Sequence, residues 1–267
     1  MNVAERQKPP PGALYLDHVS HFVADLDAAA RVFEALGFKV TATSAQEGRE
    51  GPLGTSNRCV MLEEGYIEIL SPTMDTPNAR RVREMMAPHR GVHMAVFGTP
   101  DAEAERRLLE ARGFAPQPLI EFDRPVESGR VKFRLARPAP EKMPEGRIQF
   151  VQQLTPEMIW TKKDVNPMRL AAVFVAGRDV AASAARWAHF SGLLPLAYQH
   201  GARLDTARGS VLFGAGDAPA IVGYALACRH PKALAARCSA AGIALERRSR
   251  RYIARLPDSV GGALVFG

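Results

Sequence analysis

The sequence predicts an α+β fold in which four βαβββ modules pair into two tandem domains. Four segments with helical periodicity each end at a glycine that an apolar residue follows, namely Gly37, Gly113, Gly192 and Gly242. One glycine cap of this kind is common at helix ends. Here a strand-like run precedes each of the four helices at a similar distance, and further strand-like runs follow, so the pattern indicates a repeated unit.

The first module contains every element of the repeat. Residues 14–24 have the pattern of a strand, and Asp25 or Asp27 can cap the helix that follows. In residues 26–36 apolar side chains recur at helical spacing, so one face of this helix is expected to enter the core. Three further strands are predicted at 39–43, 58–62 and 66–70.

The second module follows the same order. Residues 91–97 form a strand-like run that leads into the helix ending at Gly113. The remaining strands of this module are predicted at 119–122, 131–136 and 147–152. Since two modules make one unit, we predict two domains, at residues 14–160 and 168–267.

The composition is that of an ordinary globular protein. Of 267 residues 46% are hydrophobic and 24% charged, so we expect a sizeable core and no extensive disorder. The net charge of +7 favours an anionic ligand, but no nucleic-acid-binding motif accompanies it. The first residues lack the apolar core of a secretion signal, and no apolar stretch is long enough for a membrane span. We expect a cytoplasmic protein that binds neither nucleic acid nor membrane.

Three polar residues interrupt strand-like apolar runs, namely His18, Glu68 and His93. Side chains alternate between the two faces of a strand, and Glu68 stands between two isoleucines, so it should point away from the core. In the first strand His18 shares its face with Phe22. In residues 91–97 the same alternation puts His93 on one face with Phe97. We expect these faces to line a cavity and the intervening residues to meet a helix.

This set of side chains has the chemistry of a metal site. Two neutral imidazoles and one carboxylate suit a first-row divalent ion such as Zn, Ni, Mn, Co or Fe. Three protein ligands leave positions open for water or substrate. We predict one divalent metal ion held by His18, Glu68 and His93. The alternative is that they are partly buried polar residues hydrogen-bonded inside a cavity, as a single strand histidine or glutamate usually is.

The order of His in the first strand, Glu in the fourth and His in the fifth, on two βαβββ units, resembles the vicinal oxygen chelate superfamily. That group includes glyoxalase I, bleomycin-resistance proteins, fosfomycin-resistance enzymes and extradiol dioxygenases. Residues 54–62 followed by 65–70 are closer still to bacterial glyoxalase-like domain proteins. The resemblance covers residues 14–160, and the remainder only through the repeat. It implies that each pair of modules curls into a half-open barrel around a cavity.

The resemblance also implies a fourth ligand in the last strand of the second module. Gln149 stands there, where glyoxalase I has a glutamate that takes the substrate proton. A glutamine carbonyl can ligate a metal, but it is neutral and cannot act as a base near pH 7. Gln149 therefore completes the predicted ligand set, while Glu68 is the remaining candidate for a catalytic base.

The second half of the chain lacks such residues. Aligned on the helix-ending glycines, Leu170, Leu212, Gly223 and Val265 stand at the positions of the four predicted ligands. None of these side chains can ligate a metal. We expect the second half to keep the fold and close the cavity without holding an ion.

Five residues are predicted to bind substrate. Asn57 and Arg58 lie on a strand beside the predicted site, and an arginine there can clamp a carboxylate or phosphate. Arg58 is equally well explained as a surface residue that ends a turn. Phe22, Tyr66 and Phe97 supply apolar cavity wall.

Three functions fit these observations. The first is a metal-dependent lyase or isomerase of glyoxalase type, acting on a small oxygen-chelating substrate. The second is an Fe(II) ring-cleaving dioxygenase, since two histidines and one carboxylate also form an iron–oxygen site. The third is a metal-free protein that sequesters a small molecule, as bleomycin-resistance proteins do. In each case the expected partner is a small molecule, and we allow for a homodimer.

Overall fold

A computed structural model describes residues 2–8, 12–48, 50–127, 129–161, 163–199 and 201–267. A short helix, α1 (Val3–Arg6), precedes the first module. This module consists of β1 (Tyr15–Phe22), α2 (Leu26–Ala35), β2 (Ser44–Gly48), β3 (Gly51–Glu64) and β4 (Tyr66–Pro72). A linking helix, α3 (Pro77–Met86), leads to the second, which consists of β5 (Val92–Gly98), α4 (Ala102–Ala111), β6 (Ile120–Val126), β7 (Gly129–Ala136) and β8 (Arg147–Gln153).

The second half repeats this order twice. The third module consists of β9 (Asn166–Gly177), α5 (Val180–Ser191), β10 (Pro195–Tyr198), β11 (Gly201–Asp205) and β12 (Ser210–Ala215). The fourth consists of β13 (Ala220–Cys228), α6 (Pro231–Ala240), β14 (Ala244–Arg248), β15 (Arg251–Arg255) and β16 (Ala263–Phe266). The predicted βαβββ order therefore occurs four times.

Strand pairing is the same in all modules. The first and last strands of each module are parallel neighbours: β1–β4, β5–β8, β9–β12 and β13–β16. Modules pair antiparallel through their first strands, β1 with β5 and β9 with β13. Pairings of β3 with β9 and of β5 with β13 join the two halves. The predicted fold class is confirmed, whereas the domain limits stay a prediction.

Two predictions about local structure need correction. Residues 39–43 are not a strand. The Thr41 hydroxyl, and not a backbone carbonyl, accepts the N–H of Cys59 at 2.9 Å, so a regular pair of ladder bonds is missing here. The strand begins at Ser44 instead. The helix α3 was not predicted. Its signals are in the sequence, since Thr76 caps the N–H of Ala79 and Pro77 occupies the first turn.

The apolar residues form two layers. The helix-side core lies between the sheet and the helices and is shared by both halves of the chain. In it the Phe150 and Phe190 rings stack at 4.6 Å, and Phe97 contacts both and Trp187. The cavity-side cluster lies on the opposite face of the first two modules and comprises Phe22, Cys59, Met61, Tyr66, Leu70, Val82, Met94, Val96, Val131, Phe133, Leu135, Val151, Ile159 and Trp160.

The prediction that Phe97 faces the cavity is therefore wrong. The register between β1 and β5 shifts between the pairs Ser20–Met94 and His21–Val92. A bulge of this kind adds one residue to a strand and reverses the alternation beyond it. His93 still lines the cavity, but Met94 does so too, and Phe97 faces the helices.

None of the helices in the described part of the chain has the length and apolar character needed to cross a bilayer.

His21 lies where the first module meets the fourth. Its side chain is fully buried, with Nε2 at 3.3 Å from the Tyr224 hydroxyl and Nδ1 at 3.3 Å from the Val260 carbonyl oxygen. Burial is the main cause that lowers the pKa of His21 from 6.5 to about 3, and the neighbouring His93 adds to it. The ring is therefore neutral and hydrogen-bonded at neutral pH.

We predict that His21 makes the fold sensitive to acid. Because the folded-state pKa of about 3 lies below the ordinary 6.5, the unfolded chain takes up the proton first as the pH falls. The contribution is present above pH 6.5 and is lost towards pH 3, by on the order of 4 kcal/mol. Urea unfolding from pH 7.5 to 4 should show a weaker pH dependence in His21→Gln than in the wild type.

The exposed His230→Gln variant is the matched control and should keep the wild-type slope. Equal slopes in His21→Gln and wild-type protein would contradict the prediction.

Candidate functional site

A cavity of about 910 Å³ occupies the inner face of the first two modules. Its wall is formed by the strands β1 to β8, together with α3 and the loop that leads into β8. Six of the residues predicted for the site line this one cavity: His18, Asn57, Tyr66, Glu68, His93 and Gln149. The repeat thus brings together side chains that are distant along the chain.

His18 is held by the residue before it. Its Nδ1 lies 2.5 Å from Oδ1 of Asp17, so the Nδ1–H donates to this carboxylate. The other nitrogen, Nε2, faces the cavity at 3.5 Å from the Tyr66 hydroxyl, and the Tyr66 ring stacks on the imidazole at 4.2 Å. This leaves an oriented imidazole with an available lone pair in the cavity.

Asp17 is fully buried and accepts two further donors. The Tyr15 hydroxyl donates to Oδ2 at 2.9 Å, and the Gln153 amide lies 3.2 Å from Oδ1. Burial, and next to it the charge of Asp17, raises the pKa of Tyr15. The sequence analysis missed Asp17, because strict alternation would put adjacent residues on opposite faces. The register shift between Leu16 and His18 explains how the two meet.

Glu68 is surrounded by neutral donors. The Asn57 amide donates to Oε1 at 2.6 Å, the Gln46 amide approaches it at 3.4 Å, and the Ser20 hydroxyl donates to Oε2. These bonds fix the orientation of the carboxylate. Asn57 is 2% exposed, and its Oδ1 has no hydrogen-bond partner among the described residues.

His93 uses both ring nitrogens within the protein. The Phe22 backbone N–H donates to Nδ1 at 3.2 Å, so the proton is on Nε2, which lies 3.2 Å from the His89 carbonyl oxygen. The ring stacks between Phe22 and His89. Burial, with the nearby His89, lowers the pKa of His93 to about 4, so the side chain is neutral at physiological pH.

As placed, these side chains do not fit a metal with three protein ligands. The described residues contain no group of three His, Cys, Asp or Glu side chains positioned to hold an ion. His18 offers Nε2, which contacts the Tyr66 hydroxyl at 3.5 Å, and Glu68 has one remaining lone pair. Both nitrogens of His93 are engaged, and Oε1 of Gln149 accepts from Nε of Arg137 at 2.7 Å.

Three arginines that the sequence analysis missed line the same cavity, namely Arg81 on α3, Arg137 after β7 and Arg147 at the start of β8. The guanidinium of Arg147 lies over the Phe22 ring, 5.3 Å from its centroid. Burial lowers the pKa of Arg147 to about 10, although the charge of Glu68 partly offsets this. Burial, with the charges of Arg147 and Arg81, lowers the pKa of Arg137. Apart from Glu145, which is paired with Arg186, the inner part of the cavity therefore sets the two guanidinium groups of Arg137 and Arg147 against one carboxylate, that of Glu68.

Two other predicted substrate residues lie away from the cavity wall. Arg58 points outward, where its guanidinium donates to the Thr41 carbonyl oxygen and pairs with Glu34, so the surface interpretation of this residue is the one observed. Phe22 supports His93 and Arg147 from beneath without lining the cavity.

The equivalent positions in the second half have no ligating side chains. The first residues of the last strands, Tyr66 and Ser210, pair with His18 and Ala172, so Ala172 and not Leu170 corresponds to His18. By the same register Gly223 corresponds to Met94, and Val222 to His93. The equivalent residues therefore differ from those predicted, but neither Ala172 nor Val222 can ligate a metal.

Comparison with known proteins agrees with this architecture. A family model described as a glyoxalase-like domain matches residues 16–191. A hypothetical protein from Staphylococcus aureus superposes with a TM-score of 0.73 at 16% identity, covering 95% of this chain and 99% of that one. No curated protein matches the sequence.

Two further solved structures are similar in fold. A triple mutant of 4-hydroxymandelate synthase from Streptomyces coelicolor has a TM-score of 0.59 at 14% identity, covering 95% of this chain and 92% of that one. The Mn(II)-bound glyoxalase from Novosphingobium aromaticivorans has a TM-score of 0.58 at 11% identity, covering 95% and 81%. At such identities the similarity concerns the fold alone.

Proposed function

Because this chain belongs to the family of glyoxalase-like domain proteins, we propose that it is a lyase or isomerase that moves a proton on a small oxygen-bearing substrate. The observation that carries the proposal is the imidazole of His18. Its Nδ1–H is held by Asp17 while its Nε2 faces a cavity large enough for a small molecule. The family membership supports a function of the vicinal oxygen chelate type.

His18 is the base in this proposal. A neutral imidazole with Nδ1–H bound to a carboxylate presents its lone pair at Nε2, and the carboxylate of Asp17 stabilises the imidazolium that forms. The bond that breaks is a C–H bond beside a substrate carbon that bears oxygen. Its electron pair passes to that oxygen as an enolate.

The arginines stabilise the enolate. Negative charge that develops on the substrate oxygen faces the guanidinium groups of Arg137 and Arg147 in a partly desolvated cavity, where fixed charges act strongly. If the carbon that loses the proton bears a hydroxyl, the intermediate is an enediolate; His18 can return the proton to the neighbouring carbon while the hydroxyl proton passes to the other oxygen, and the product is an isomer. If a leaving group departs from the adjacent carbon with the electron pair, the reaction is that of a lyase.

Glu68 has a positioning role in this scheme. It accepts hydrogen bonds from Ser20, Asn57 and Gln46, so most of its lone pairs are used within the protein. It therefore holds the cavity-facing side chains of β1 and β3 in place. The catalytic role predicted for Glu68 from the sequence is here assigned to His18.

We predict that hydrogen exchange into a substrate depends on His18. Small 2-hydroxy acids, 2-oxo acids and aldehyde hemithioacetals would be incubated with the protein in D2O, and C–H exchange followed by NMR. His18→Gln should slow exchange by about 100-fold or more, because a general base is lost. Asp17→Asn should also slow it, because the donor-acceptor pattern that fixes the imidazole tautomer is reversed.

The control for this experiment is His230→Gln, which should exchange at the wild-type rate. Unchanged exchange in His18→Gln would refute the proposed base. Tight binding of a ligand without exchange or turnover would instead favour the sequestering protein of bleomycin-resistance type.

A metal-dependent reaction is the second candidate. It is favoured by the Asp17–His18 pair, since metal-ligating histidines commonly donate their other N–H to a carboxylate, and by Glu68 in the same cavity. It requires the ring of His93 to give up two backbone hydrogen bonds. A ring-cleaving dioxygenase has the further difficulty that the neutral Gln149 stands where the resemblance puts the acid.

We predict that tag-free protein, dialysed and analysed by mass spectrometry for Zn, Ni, Mn, Co and Fe, contains well below one ion per chain. The reason is that two of the four predicted ligands are occupied by protein hydrogen bonds. One ion per chain that is lost in both His18→Ala and His93→Ala would overturn this expectation and establish the predicted metal site.

A further inference from the structure

We propose that the ligand of this cavity is a small hydroxy acid with an apolar tail, whose carboxylate lies at Arg147 and Arg137 and whose hydroxyl donates to Oδ1 of Asn57. The inference rests on the proposed function for the choice of cavity and names the substrate class. It follows from three features of the wall, which concern charge, an unpaired acceptor and shape.

The inner wall has an excess of positive charge. Within the described part of the chain Arg81, Arg137 and Arg147 make no ion pair with a carboxylate. Of the acids on the wall, Glu145 is paired with Arg186, and Glu84 and Glu141 are exposed near the rim with Arg81. Among the described residues of the inner wall, Glu68 is the one remaining carboxylate beside the guanidinium groups of Arg137 and Arg147. Of these charges one positive charge is left over, which a monoanion would balance.

Such a charge is costly in the absence of a ligand. Partly buried cations without a partner lose hydration and gain no ion pair in return. The lowered pKa values of Arg137 and Arg147 have this origin, because burial is the largest cause for both. A carboxylate between them would restore the balance. Arginine is also the side chain best shaped to bind a carboxylate through paired N–H donors.

The unpaired acceptor belongs to Asn57. Its amide nitrogen donates to Glu68 at 2.6 Å, which fixes the orientation of the side chain. Its Oδ1 is buried, lies on the cavity wall and accepts no hydrogen bond from any described residue. An unsatisfied buried acceptor is destabilising, because its lost hydration is not replaced by a hydrogen bond. A ligand hydroxyl supplies the donor, whereas an ammonium donor would be repelled by the arginines.

Another part of the wall is apolar. Phe122 and Phe133 stack on each other at 4.9 Å, and Ile120, Leu53 and Leu135 continue the same surface. The cavity volume of about 910 Å³ exceeds what a two- or three-carbon acid fills. An aryl or branched alkyl tail would cover this surface and remove it from water.

Three matched probes test the proposal by calorimetry on the full chain: 3-phenyllactate, 3-phenylpropionate, which lacks the hydroxyl, and 3-phenyllactamide, which lacks the charge. We predict that the hydroxy acid binds. The acid without the hydroxyl should bind about 5-fold or more weakly, because the Asn57 acceptor stays unpaired. The amide should bind at least about 10-fold more weakly, because it leaves the buried charge uncompensated.

Variants separate the role of Arg147 from loss of fold. Arg147→Met should weaken hydroxy-acid binding by about 10-fold or more and raise the Tm of the ligand-free protein, because an unpaired buried charge is replaced by an apolar side chain of similar length. Arg147→Lys should retain part of the affinity. Arg134→Met removes an arginine paired with Glu121 on the outer face of β7 and should leave probe binding unchanged.

The proposal is overturned if the amide binds as well as the acid, if Arg147→Met binds the acid unchanged, or if 3-phenyllactate fails to bind at millimolar concentration. Binding of the acid without His18-dependent exchange would refute the proton-transfer reaction alone. Exchange on a neutral substrate, with no binding of acids, would refute the ligand class alone.

Discussion

The position of β1 between β4 and β5 is the constraint on which the rest of this structure depends. The parallel register with β4 sets Ser20 beside Glu68, where its hydroxyl donates to the carboxylate. On the other side, the backbone N–H of Phe22 donates to the His93 ring. Among the strands that the structure describes, β1 alone pairs with both β4 and β5, so it fixes where the two modules place their polar side chains.

All eight residues of β1 are buried, so its polar groups must find partners inside the protein. Asp17 collects three donors, and His18 and His21 are each held by buried groups. This requirement explains why the strand is irregular. The shifts in its pairing with β5 allow the adjacent Asp17 and His18 to meet, which a regular pleat would prevent.

The fold could be predicted from the sequence because its signals are local and repeated. Helix-ending glycines, alternating strands and the motif around His18 and Glu68 identify the modules, and the resemblance to glyoxalase-like domain proteins is confirmed by the family model. What depends on exact register could not be predicted. Phe97 was placed on the wrong face because a bulge is not visible in an alternating pattern.

The charged part of the cavity was missed for a different reason. Arg81 lies on an unpredicted helix, and Arg137 lies in a proline-rich loop, where no periodicity indicates direction. Arg147 could have been found, because it stands two residues before Gln149 on the same strand and therefore on the same face. The predicted metal ligands are histidine, glutamate and glutamine, whereas the cations of the inner cavity, Arg137 and Arg147, are arginines.

The second half of the chain has a role in the site although it contributes no ligand. Its corresponding space is only about 220 Å³ and is lined by Leu212 and Val265 where the first half has Glu68 and Gln149. It instead supports the face of β1 that turns away from the cavity. Tyr224 and Val260 hold His21.

Arg208 extends this support to the imidazole. Its guanidinium stacks on the Tyr15 ring, 4.2 Å from the centroid, and the Tyr15 hydroxyl donates to Asp17, which orients His18. The chain of contacts therefore runs from the third module, through the back of β1, to the nitrogen that faces the cavity. A first half without its partner would keep the sequence of the site but lose the packing that directs it, which gives a physical reason for the repeat to occur four times and not twice.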